Sequence, residues 1–87
     1  MVYVFVLRSR EKGIRDVGIT AGLGARLRAH ARGGTKGGQH LGKFELIHRK
    51  EWPTDADARV REKYLKSGQG REWLDAKFGR HEAPDRR

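Results

Sequence analysis

The chain contains no cysteine. Neither a disulfide framework nor a thiolate zinc site can be built from it, and a reducing cytoplasm suits such a composition. It also lacks a membrane span: the N-terminal apolar run Val2–Leu7 is too short to cross a bilayer, and no cleavage-like site follows it. A soluble, unexported, cytoplasmic protein with no membrane partner is expected. Acidic residues are scarce in the first fifty positions, where Glu11, Asp16 and Glu45 face eleven Lys and Arg, a net charge of +8. Residues 51–87 carry nine basic against eight acidic side chains, so nearly all of the overall +9 lies in one half. That asymmetry points to a polyanionic partner, of which nucleic acid is the commonest. The glycine-rich stretch Gly33–Gly42 lacks the lysine and hydroxyl spacing of a P-loop, which excludes that kind of nucleotide binding.

What remains is 87 residues, 36% hydrophobic, enough for one small domain with one modest core. Val2–Leu7 is rich in β-branched and aromatic residues, which predicts a strand buried on both faces and central in its sheet. A polar turn over Arg8–Gly13 leads to a second strand, Ile14–Ile19, so the two form an antiparallel hairpin. Tyr3 and Phe5 share one face of the first strand, with Phe5 as a core residue. Gly22–Arg32 reads as a helix whose apolar stripe is Leu23, Leu27 and Ala31. Gly22 is a usable but weak cap for it. Gly33–Gly42 is a loop from which Lys36 and His40 can reach a phosphate backbone. Phe44–Arg49 is a third strand, with His48 as a structural residue. Thr54 and Asp57 approximate a capping box for a helix running to about Lys66. Gly68 ends that helix, Gly70 restarts the chain, and Arg71–Phe78 forms a last helix with Trp73, Leu74 and Phe78 turned inward. A single domain over residues 1–78 and a frayed charged tail over 79–87 result.

The chemistry concentrates in residues 16–30. Arg26 and His30 are four apart, on one helical face. A fork-shaped cation beside a titratable imidazole can grip and act on a phosphate. In the later helix Glu62 stands between Arg61 and Lys63, where by itself it reads as a solvated carboxylate in a charge pattern.

The order of elements, with the segments Tyr3–Ser9, Val17–Thr20, Leu23 with Arg26, Leu27 and His30, Phe44–Ile47 and above all Ala58–Gly68, resembles the GIY-YIG nuclease family. The likeness is to its small stand-alone members, related to the catalytic domain of the excinuclease C subunit, and covers residues 2–78. It implies an α/β (α+β) fold: a three-stranded antiparallel sheet flanked by helices, in the order β-β-α-β-α-α. It also implies hydrolysis of a phosphodiester bond with one divalent metal, Mg²⁺ or Mn²⁺. By this resemblance the metal ligand falls on Glu62, the phosphate-stabilising arginine on Arg26, and a residue assisting proton transfer on His30. A carboxylate suits Mg²⁺, and a guanidinium suits the charge of a five-coordinate phosphorus.

Two positions depart from the family pattern. The tyrosine that ends its first motif is Phe5 here, and the tyrosine that begins its second is Asp16. The turn before the first helix also has Ala21 and Gly22 where an acidic residue is usual. Phe5 cannot accept a proton, and losing a general base costs typically about 10²–10⁴ in rate. Tyr3 on the same strand face, or Asp16 as a base or second metal ligand, are the candidate substitutes; taken by itself, Asp16 reads first as a tolerated replacement at a strand end. The leading expectation is a metal-dependent DNA endonuclease of DNA repair or processing, directed by shape such as branches or flaps, with RNA as an alternative substrate. Arg26, His30, Glu62, Tyr3 and Asp16 would carry catalysis, and Arg28, Arg32, Lys36 and Lys43 would hold the backbone. The rival expectation is a nucleic-acid-binding module on the same fold whose catalysis has lapsed.

Overall fold

The computed structural model describes residues 1–33 and 41–79. Among these residues three strands and three helices follow one another in the expected order: β1 Val2–Ser9, β2 Arg15–Thr20, α1 Leu23–Ala31, β3 Phe44–Trp52, α2 Asp55–Lys66 and α3 Gly68–Phe78. The sheet order is β2-β1-β3 with both pairings antiparallel, so the apolar strand is indeed the central one. Val4, Phe5, Val6 and Leu7 are all buried. Their alternation divides the interior in two. Val4 and Val6 pack with Ala58, Leu65 and Leu74 of α2 and α3, with Trp73 and Phe78 against them. Phe5 and Leu7 point to the other face and pack with Leu23 of α1 and with Leu41. One sheet therefore carries α1 on one face and the α2–α3 pair on the other.

Local chemistry sets the element ends. Buried Ser9 closes β1: its hydroxyl donates to the Leu41 carbonyl at 2.7 Å and accepts from the Lys12 amide at 2.9 Å. Gly13, at φ +64°, completes that turn. Thr54 caps α2 by accepting from the Asp57 amide at 3.1 Å, as the sequence predicts. Gly22 caps α1 without a side-chain bond.

The last helix begins earlier than expected. It starts at Gly68, three residues before Arg71, because Ser67 is extended and its hydroxyl accepts from the Gly70 amide at 3.2 Å. Gly70 does not restart the chain. It lies in α3 where a Cβ would overlap the Tyr64 carbonyl oxygen and the Leu65 backbone, so its role is close approach of two helices. Strand ends also differ: β1 reaches Ser9, β2 runs Arg15–Thr20, and β3 continues to Trp52. The α1 stripe departs from the expected one as well. Leu23 is buried, Leu27 half-buried and Ala31 exposed, and His30 takes the inward position. His48 is structural as expected, its ring 5.6 Å from that of Trp73 and 5.7 Å from that of Phe78. Lys36 and His40, which the sequence places in a glycine-rich loop, lie outside the described residues, as does the tail from residue 80.

Candidate active site

Arg26 and His30 both meet the ring of Phe5, and Asp16 reaches His30. In the β1–β2 ladder Phe5 pairs with Gly18 and Leu7 with Asp16, and directly opposed side chains share a face. Phe5 and Asp16 therefore both point toward α1. The Phe5 ring is fully buried and passes so close to Gly18 that a Cβ there would lie 2.6 Å from its Cζ. From α1, the exposed Arg26 sets its guanidinium 5.9 Å from the centroid of that ring. His30, one turn on, meets the same ring edge-on at 6.2 Å and Phe44 at 6.0 Å. Its Nε2 is 3.5 Å from Asp16 Oδ2. Only 2% of His30 is exposed, whereas 37% of the Asp16 side chain reaches solvent. Arg26 and His30 thus flank one ring as their spacing predicts, but the imidazole is packed inward and does not project. The group open to a substrate is the carboxylate.

Glu62 belongs to α2, and α2 packs on the sheet face opposite to α1. Its side chain is 22% exposed and accepts from Lys66 Nζ at 3.1 Å, one helical turn away. The two sides meet at the edge strand β2. A cleft of about 340 Å³ runs along it, lined by Ile14, Arg15, Asp16, Val17, Leu65, Lys66, Arg71 and Leu74. Asp16 and the ion-pair partner of Glu62 thus border one space. Lys66 had drawn no attention in the sequence; its signal was the i,i+4 spacing from Glu62.

Tyr3 shares the Phe5 face but has another partner. It pairs across the β1–β3 ladder with Glu51, and hydrogen bonding to that carboxylate, with its charge, raises the phenol above its ordinary pKa. A phenol held protonated is a poorer base. Of the basic residues expected to hold a backbone, Arg28, Arg32 and Lys43 are exposed. Arg28 and Lys43 come together with Arg10, Leu27, Ala31, Gly42 and Phe44 around a second groove of about 530 Å³ on the α1 face. Arg10 is the member that sequence reasoning passed over, since it sits in a polar turn. The backbone bond from its amide to the Lys43 carbonyl, 2.8 Å, brings it there.

No helix among the described residues is long and apolar enough to cross a membrane. Arg26 and Glu62 lie on opposite faces of the sheet and neither lines the β2 cleft; what borders it is Asp16, in contact with His30, and Lys66, the partner of Glu62. The chain belongs to the GIY-YIG family: the family model of the GIY-YIG catalytic domain matches residues 1–74. It is therefore a domain of a nuclease family, whose substrates are nucleic acids and whose members generally depend on a divalent metal. No curated protein and no solved structure gives a significant match to the chain.

Proposed function

We propose that this chain is a metal-dependent endonuclease that hydrolyses phosphodiester bonds in DNA, in repair or processing, with its site along the β2 edge. The observation that carries the reading is the cleft bordered at once by Asp16, from the face that holds Arg26 and His30, and by Lys66, the partner of Glu62. Arg26 is exposed and free of a carboxylate among the described residues, so its guanidinium is available to the non-bridging phosphate oxygens. Asp16 takes the proton of the attacking water, in the place where the family pattern has a tyrosine. His30 acts as a positioning residue: buried between Phe5 and Phe44, it holds the carboxylate in orientation.

Glu62 would hold the metal. Among the described residues no three potential ligands cluster, so a cage of protein ligands does not fit. A half-buried carboxylate with one exposed lysine as its neighbour does fit a cation such as Mg²⁺, which keeps most of its waters and takes one or two carboxylates. When bound, such an ion offsets charge on the phosphate and its leaving oxygen.

The test is cleavage of plasmid and branched DNA with Mg²⁺ or Mn²⁺. Wild-type cleavage, lost by about 10²-fold or more in Glu62→Ala while binding persists, is expected. A second reading has its own support. The ring at Phe5 has no hydroxyl, His30 is buried, Tyr3 is held protonated and Glu62 is ion-paired. Salt-sensitive binding without cleavage under any divalent metal would favour a binding module whose catalysis has lapsed.

A further inference from the structure

We infer that the groove between α1 and the start of β3 holds an unpaired nucleotide of the substrate strand, base inward and phosphates on its rim. The inference rests on the nucleic-acid reading above and deepens it from polyanion to single-stranded segment.

Two halves of the groove differ in chemistry. Its floor is apolar: Leu27 and Ala31, one helical turn apart on α1, and Phe44 at the start of β3. Its rim is cationic: Arg10, Arg28 and Lys43, and among the described residues no carboxylate lines it. Glu11 comes near, its Oε1 3.8 Å from the Cβ position of Gly42, and Glu45 is occupied by Arg8, whose Nη2 lies at 2.8 Å. A phosphate backbone by itself uses the rim and leaves the floor exposed to water. A paired duplex keeps its bases stacked on one another. An unpaired nucleotide alone offers a flat apolar face and flanking charges together, the combination that single-strand sites use. A volume of about 530 Å³ accepts one nucleotide. The groove also adjoins the candidate site, because Phe44 touches both: it lines the groove and meets the His30 ring at 6.0 Å. A base seated there holds the strand on the α1 face, the face that carries Arg26 and Asp16.

The rim geometry is held by the fold. The Arg10 amide donates to the Lys43 carbonyl, and Ser9, buried beside it, anchors the same turn to Leu41. The side chains of Arg10, Arg28 and Lys43 are solvent-exposed, so their replacement leaves the core intact.

The experiment measures equilibrium binding in EDTA, where cleavage is off. The probes are fluorescent single-stranded oligodeoxynucleotides and oligoribonucleotides, a blunt duplex of equal length, and that duplex with a single-stranded flap. The expected result is a preference of about tenfold or more for the single strand and the flap over the blunt duplex. Arg10→Ala with Lys43→Ala should weaken single-strand binding by about tenfold and lower its salt slope by about 1 to 2, with less effect on the duplex. Ala31→Glu, which adds charge to the floor at an exposed position, should abolish the preference while circular dichroism and Tm stay as in the wild type. The deoxy and ribo arms identify which strand is held. Equal affinity for blunt duplex and single strand, or variants that weaken both alike, overturns the inference. Failure of the nuclease reading is separable: it appears as absent cleavage with Mg²⁺ while these binding differences stand.

Discussion

Gly18→Ala tests the packing on which the candidate site depends. The added methyl would lie 2.6 Å from Phe5 Cζ and 3.1 and 3.2 Å from its two Cε atoms. Carbon atoms pack at about 3.5–4.0 Å, so the ring must retreat by about 1 Å. It has nowhere to go: Phe5 is fully buried against Leu7, Leu23 and Leu41. Overpacking of this kind costs about 1–3 kcal/mol. Ala gains back about 0.5–1 kcal/mol over Gly within a strand. At mid-range the net loss is about 1.25 kcal/mol, and at about 4–8 °C per kcal/mol for a domain of this size Tm should fall by about 5–10 °C. Differential scanning calorimetry or thermal circular dichroism reads it. Phe5→Leu supplies the control, since a shorter side chain makes room for the methyl. The double variant should be more stable than the sum of the two single losses by about 1 kcal/mol, the coupling expected of residues in direct contact. Cleavage or binding should fall as well, because Arg26 and His30 both rest on the displaced ring. An unchanged or raised Tm in Gly18→Ala, or strictly additive losses in the cycle, refutes the reasoning.

Three further outcomes follow from the same contacts. Asp16→Asn should lower the cleavage rate by about 10²–10⁴ with substrate affinity kept, while Tyr3→Phe changes it by less than about tenfold; the reverse ranking in single-turnover assays would move the proton transfer to Tyr3. Burial, with Lys77, Arg61 and Lys50 nearby, lowers the His48 pKa, so its neutral form is favoured by folding. The stability it contributes is present above the unfolded pKa of about 6.5 and lost as pH falls through the lower folded value. His48→Gln should therefore flatten the decline in Tm as pH falls below about 6.5, whereas Glu45, held low by Arg8, protonates only in the more acidic range. Gly70→Ala should destabilise by more than about 3 kcal/mol, and urea unfolding would show it, because the methyl meets the Tyr64 carbonyl and Leu65 backbone, which cannot rotate away.

Much of this was legible in the sequence because it rests on local rules. An unbroken apolar run can only be satisfied by cover on both faces, and Val2–Leu7 marked the central strand on that ground. Thr54 announced its helix because the capping contact spans three residues. The break at Ser67 was misread for a complementary reason. Gly68 and Gly70 look like punctuation, yet one begins α3 and the other serves the approach of α3 to the end of α2, a tertiary demand with no signature in spacing. His30 shows the same limit. Helical spacing puts it beside Arg26, but whether it faces water or core depends on Phe5 and Phe44, which come from other elements. The groove around Arg10 was invisible because its walls come from the first turn, α1 and the start of β3.

The edge position of β2 explains how so small a domain assembles groups from both faces of its sheet. With one sheet and few helices, side chains on α1 and α2 are separated by β1, which is filled with Val4–Leu7 and has no room for charge. Polar groups from the two faces can converge only around an edge strand, and unpaired strand edges invite unwanted pairing with other chains. Here the edge is rimmed by charge. Arg15, only 10% exposed in its side chain, reaches Asp75 of α3 at 2.9 Å and ties the strand to the helix pair. Asp16, the next residue, turns to the opposite face and meets His30. Lys66 and Arg71 complete the cleft. Alternation along two consecutive residues of β2 thus commits one to holding the fold and the other to the candidate site. A charged edge that resists strand addition is at the same time a cleft suited to an anionic backbone, so under the function proposed above protection of the edge and recognition of nucleic acid would use the same side chains.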